Sequence, residues 1–227
     1  MDIPPLHSWD LTPKEAVALQ RELAGRVAAK PALKRYRYVG GVDASYTRFS
    51  PVCQAAIAVW DAKTGEVAQI VGVCSETRFP YVPGLLSFRE IPPLLEAFAK
   101  LDKAPDVVMV DGHGYAHPRR FGIACHLGLL LDLPTIGCAK SRLVGSFTPP
   151  APEAGSTAPL VDKDELIGLV LRSKTRTNPL FISVGHRIDL ESAARVTLEC
   201  SRGYRMPEPT RQAHLAVNEI RRGERPA

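Results

Sequence analysis

The chain has 227 residues, 45% of them hydrophobic and 23% charged, with a formal net charge of +5. These proportions suit one globular core and exclude disordered, fibrous and collagen-like classes. No apolar run approaches the roughly eighteen residues of a membrane helix, and MDIPPLHSWDLTPKE lacks the basic and then apolar pattern of a secretion signal, so a cytoplasmic protein is expected. The positive charge favours a polyanionic partner. Five scattered cysteines without a C-x-x-C pair read as reduced thiols, neither a disulfide framework nor a zinc site.

Thr12, Pro13 and Glu15 supply an N-cap, an N1 proline and a capping-box acid ahead of Ala16, Val17, Leu19, Leu23 and Val27, which predicts a helix ending near Lys30-Pro31. Residues 36–46, YRYVGGVDASY, read as a strand whose glycines let another backbone or a ligand come close, with Asp43 in its middle. A carboxylate there needs either a basic partner or a metal ion. Residues 55–61 and 67–76 form a hairpin across the turn at 62–65, so three antiparallel strands open the sheet. In RFPYVPG (78–84) two prolines stiffen a tip that displays Tyr81 and Val82, an arrangement that suits stacking on bases or simple packing. Ser87 and Glu90 have capping-box spacing before a helix carrying Ile91, Leu94, Leu95, Phe98 and Leu101, which leaves Glu90 a cap or a site acid.

Residues 107–110 are a short apolar run rich in valine, read as a buried strand that delivers Asp111 to a sheet edge, followed by a loop rich in glycine and histidine. Pro118 can begin a helix carrying Phe121, Ile123, Ala124, Leu127, Leu130 and Leu131, and a second buried strand, 135–139, ends in Lys140. Residues 147–159 read as a surface loop. Runs 166–174 and 180–187 form a hairpin bearing Arg172, Lys174, Arg176 and Arg187, either a solvated face or phosphate contacts. Two helices close the chain at 190–200 and 210–221, the second bearing His214.

Three strands, a helix, a strand, a helix and a strand is the order of a ribonuclease H-like α/β core: a mixed sheet, three strands antiparallel and the next parallel, flanked by helices. In that topology the middle of the first strand lies beside the end of the fourth, bringing Asp43 next to Asp111, with Glu90 entering from the intervening helix. Such carboxylates are hard oxygen ligands suited to Mg²⁺ or Mn²⁺, and such a cation binds phosphate oxygens and activates water. The loop after Asp111 offers small residues and backbone groups around Gly112 and Gly122.

The segments GGVDASY (40–46), FPYVPGLLSFRE (79–90), VDGHGYAHPRRFGIACHLGLLLDLPTIGCAKSRL (110–143) and HRIDLESAARVTLEC (186–200), with the His214 helix, resemble the endonuclease V family. The resemblance implies Mg²⁺-dependent hydrolysis, with Mn²⁺ as a substitute, of the second phosphodiester bond 3′ to a deaminated purine, chiefly deoxyinosine. The products would carry 3′-hydroxyl and 5′-phosphate ends, in DNA repair. By motif, Asp43 and Asp111 become the metal-binding aspartates, Glu90 the third acid, Lys140 the basic residue near the scissile phosphate and His214 the organiser of metal and water. Tyr81 and Val82 become the wedge, His117 the loop histidine, and the loop around Gly112 and Gly122 a pocket for the extruded base. The expectation is one domain over 1–227, a monomer acting on inosine-containing DNA, with RNA left open. Two rivals are another ribonuclease H-like nuclease, such as a junction resolvase, and a noncatalytic inosine-binding protein.

Overall fold

In the computed structural model, which describes residues 3–30, 32–47 and 50–227, α1 (Pro13–Ala24) opens with the full capping box of Thr12 and Glu15. It stops at Ala24, short of the expected end near Lys30; Pro31 lies outside the described residues. Gly25 supplies the weak helix former at the cap, and the following segment is drawn aside when the Ala28 N–H donates to His186 Nδ1 at 3.2 Å.

β1 (Tyr38–Tyr46) runs antiparallel to β2 (Val52–Asp61), and β2 to β3 (Glu66–Glu76) across a turn in which Gly65 takes φ +74°. α2 (Leu86–Ala99) then leads to β4 (Val107–Val110), parallel to β1, and α3 (Ile123–Leu131) to β5 (Thr135–Ala139), parallel to β4. β6 (Thr157–Asp162), β7 (Glu165–Leu171) and β8 (Leu180–His186) extend the sheet to the order β3-β2-β1-β4-β5-β8-β7-β6. α4 (Leu190–Glu199) and α5 (Glu208–Arg222) follow. This is the mixed, ribonuclease H-like sheet that the element order predicts.

Two elements differ from expectation. α3 starts at Ile123, not at Pro118, because Arg120 takes φ +55° and the Gly122 N–H donates to Gly114 O at 3.0 Å, closing residues 114–122 as a loop. β6 occupies part of the expected loop: Ala158 and Leu160 face inward while Thr157 and Pro159 face out, and an edge strand tolerates the proline.

One face of the sheet packs Val42, Ile57, Val108 and Val110 against Ile91, Leu94 and Phe98 of α2 and Ala124 and Leu127 of α3. The other face bears α5 in a channel of small residues. A Cβ on Gly41 would sit 1.9 Å from Pro209 C, and one on Gly72 would sit 2.1 Å from Ile220 Cδ1, while Ala56 between them packs on Ala216 and Val217. The glycines of β1 thus admit a neighbouring backbone, and the approach sets how close α5 comes to Asp43. All five cysteines are free, four of them buried. No helix among the described residues is long and apolar enough to cross a membrane.

Candidate active site

Val42 of β1 and Val110 of β4 are the last partners of their parallel ladder, so Asp43, still paired with Ala56 of β2, and Asp111, just past the end of β4, stand at one level. The Asp111 N–H donates to Val42 O at 3.3 Å. α5, seated on Gly41, brings His214 Nδ1 to 2.7 Å from Asp43 Oδ2, while Lys140 at the end of β5 forms an ion pair with Asp111. Asp43, Asp111 and His214 each offer a ligand atom within 4.8 Å of the others.

The electrostatics match the geometry. Burial, and then the charge of Asp111, raise the Asp43 carboxyl above its ordinary value, against the opposing pull of His214. Glu90 reaches the same edge from α2, and burial, then Asp43 and Asp111, push its carboxyl up to about 8. Converging buried carboxylates of this kind either keep protons or hold a cation. The donor set is two carboxylates and an imidazole, with Lys140 paired to Asp111 and His214 hydrogen-bonded to Asp43; it fits a hard divalent ion.

The capping reading of Glu90 does not hold. α2 has no side-chain cap, and the Ser87 hydroxyl is bound to His126, so Glu90 is not a capping residue. The ion pair of Lys140 lies within the site, since its partner is Asp111 itself.

A cleft of about 370 Å³ runs from these acids to the proline-stiffened tip, with Gly112, His117 and Gly122 in its walls. Tyr81 stands at its mouth, 61% exposed, its ring 6.2 Å from that of Tyr46. Val82 is half-buried against the cluster of Phe79, Leu85 and Phe88, and so braces the tip. The walls are backbone laid on backbone: a Cβ on Gly122 would sit 2.2 Å from His113 O, one on Gly114 2.1 Å from Val184 O, and one on Gly137 2.3 Å from Gly114 N. An alanine at Gly122 would therefore displace the loop and not merely narrow the pocket.

His117 is 3% exposed, and both ring nitrogens are engaged. Nδ1 accepts from the Arg119 N–H at 3.2 Å and Nε2 donates to Gly84 O at 3.1 Å. Burial, reinforced by Arg119, lowers its pKa to about 4, so the neutral ring ties the loop to the tip. Gly84 O also accepts from Gln20 Nε2 at 3.0 Å and Arg119 Nη2 at 2.8 Å. Gln20 escaped the sequence reading, although a glutamine on the buried stripe with Ala16 and Leu23 is a readable signal of a polar task. His113, Ser141, Arg142 and Leu143, also unassigned, form the opposite wall, and His113 Nδ1 has no partner among the described residues. Two of the hairpin arginines serve the fold: Arg172 binds the carbonyls of Pro150, Ala151 and Thr177, and Arg187 pairs with Asp132.

A ribonuclease H-like sheet with acids and a histidine gathered at neighbouring strand ends defines a nuclease class, the phosphodiester hydrolases. Comparison narrows it. The family model for endonuclease V matches residues 21–215. Endonuclease V of Dehalococcoides mccartyi is 53% identical over 218 residues, covering 95% of this chain and 96% of that protein. The crystal structure of endonuclease V from Streptomyces avermitilis superposes with a TM-score of 0.91 at 43% identity, over 95% of this chain and 96% of that one. Endonuclease V of Ciona intestinalis, solved with a 24-mer DNA containing an inosine followed by a ribo-adenosine, superposes with a TM-score of 0.81 at 26% identity, over 93% and 98% of the two chains. The chain belongs to the endonuclease V family.

Proposed function

We propose that this protein is a metal-dependent endonuclease that recognises deaminated purines, chiefly inosine, and hydrolyses the second phosphodiester bond on their 3′ side, leaving 3′-hydroxyl and 5′-phosphate ends, in DNA repair. The observation that carries the reading is one continuous cleft joining the Asp43–Asp111–His214 cluster to a glycine-walled cavity beside the exposed Tyr81. The inosine-bearing DNA held by the Ciona relative supports the choice of lesion. A Mg²⁺ or Mn²⁺ ion held by Asp43, Asp111 and His214 would bind phosphate oxygen and lower the pKa of an attacking water. Lys140 lies where it can neutralise a phosphate oxygen, and Glu90 where it can orient water or complete the acid set. Leu86 and Ser87, in the first turn of the uncapped α2, line the cleft, and N–H groups left free at such a helix start would match the O6 carbonyl of hypoxanthine. The whole chain, 1–227, acts as one domain and as a monomer in this reading.

Tyr81 fills the gap left by the extruded base. Base–aromatic stacking contributes about 1–3 kcal/mol, which offsets much of the cost of unstacking. Tyr81→Ala should weaken lesion binding about tenfold or more, and more on duplex than on single-stranded inosine substrate, because a single strand has less stacking to break. Equal losses on the two, read by titration, would make Tyr81 a general contact.

Gly41→Ala tests how the fold places His214. The added methyl has no room against Pro209, so α5 must move from β1. The variant should lose at least about 1–3 kcal/mol of stability and most of its activity, although Gly41 touches no substrate. Normal melting and normal cleavage would contradict the packing.

The reading as a whole is tested by incubating matched DNA and RNA strands, with inosine or adenine at one position, in Mg²⁺ and in excess chelator. Cleavage confined to inosine strands with metal is expected. Cleavage in chelator, or of adenine strands equally, would overturn it.

A further inference from the structure

Behind the cleft wall a line of hydrogen bonds runs to the N-terminal segment. Ser87, in the first turn of α2, is 2% exposed and lines the cleft. Its Oγ lies 3.1 Å from His126 Nδ1, His126 Nε2 lies 2.6 Å from His7 Nε2, and His7 Nδ1 lies 2.7 Å from the Ser8 carbonyl. Trp9 stacks on His126 at 5.4 Å, and the rings of Phe88 and Phe121 close the box at 5.1 and 5.2 Å. The metal chemistry uses none of these residues.

The line has a direction. A carbonyl only accepts, so His7 Nδ1 carries a hydrogen. Burial lowers the pKa of both imidazoles, and among the described residues His7 is the one titratable group that acts on His126 by charge. With both rings neutral, His7 Nε2 is an acceptor, so the hydrogen between the rings belongs to His126 Nε2. His126 Nδ1 is then an acceptor too, and the Ser87 hydroxyl hydrogen is committed to it. Only the lone pairs of Ser87 Oγ remain for the cleft.

We propose that Ser87 is a specificity-determining residue, held as a pure acceptor by the His126–His7 pair so that it takes the N1–H of an oxopurine and turns away the N1 lone pair of adenine. The inference rests on the inosine reading above and explains part of its selectivity. Hypoxanthine carries N1–H where adenine carries an acceptor. In a desolvated pocket, two facing acceptors leave both unpaired, a mismatch that discriminates more strongly than shape. His7 and His126 touch no ligand and are positioning residues.

The test measures kcat and KM with Mg²⁺ on strands carrying inosine, adenine or nebularine, the purine that lacks both O6 and N1–H. Ser87→Ala should lose about three- to tenfold in kcat/KM on inosine, chiefly in KM, and little on nebularine. His7→Phe removes the acceptor for His126 Nε2–H and frees the tautomer, so it should show a smaller loss of the same kind. His7→Gln, whose amide oxygen can accept that hydrogen, should restore the wild-type ratio. In ¹⁵N spectra His126 Nδ1 should be unprotonated. A Ser87→Ala penalty equal on inosine and nebularine, or a protonated His126 Nδ1, would overturn the inference. Failure of the wild type to prefer inosine over adenine would instead overturn the functional reading beneath it.

Discussion

Asp43→Asn is expected to lower the cleavage rate by more than about 10²-fold while leaving inosine-dependent binding largely intact. The substitution keeps the size of the side chain and its place in β1 beside Ala56. It removes one of the two carboxylates of the proposed cation site, and it leaves Tyr81 and the glycine-walled cavity untouched. Asp43 is also the partner of His214, so the histidine loses its charged acceptor at the same time. The check is single-turnover cleavage alongside a binding titration of the same inosine strand. Retained Mg²⁺-dependent cleavage would remove Asp43 from the metal site; lost binding would mean that the cluster shapes the cleft rather than the chemistry.

Glu90→Gln should cost about 10²-fold or more in rate, because glutamine preserves the shape and polarity of the side chain and removes its charge. Its effect on stability has a distinct sign. Folded Glu90 titrates at about 8, against an ordinary 4.5. The native state therefore keeps a proton that the unfolded chain releases, and in chelator the wild type loses this contribution as pH rises from about 4.5 through 8. The variant has no such loss, so its melting temperature relative to the wild type should climb across that window. Differential scanning in chelator at several pH values, paired with cleavage assays, reads both effects. A fully active variant would return Glu90 to the list of structural residues.

Much of this site is legible in one dimension because strand registry is regular. A glycine-flanked strand carrying Asp43 and a four-residue apolar run ending at Asp111 suffice, once the topology is ribonuclease H-like, to place the two carboxylates together. Lys140 follows from the same edge argument. His214 is less readable: a lone histidine on an amphipathic helix gains meaning only when Gly41 seats that helix on β1. The site acts of Gln20 and Ser87 depend on which buried groups meet across the fold, at Gly84 O and at His126, and no local pattern encodes those meetings. The misplaced start of α3 has a local cause that composition hides, since Pro118 is a good first residue for a helix but Arg120 enters the left-handed region. β6 is obscured by Pro159 within it and by the prolines and glycine that precede it, and a short edge strand tolerates a proline where a central one does not.

If the held base and the Asp43–Asp111 pair stand a fixed distance apart along one cleft, the protein itself sets the position of the cut. Mapping the ends produced from an end-labelled strand with a single inosine in Mg²⁺ decides this. One cut at the second phosphodiester 3′ to the inosine, with 3′-hydroxyl and 5′-phosphate ends, is expected. Cuts scattered along the strand, or unmoved when the inosine is shifted by several nucleotides, would show that the cleft does not fix the cut.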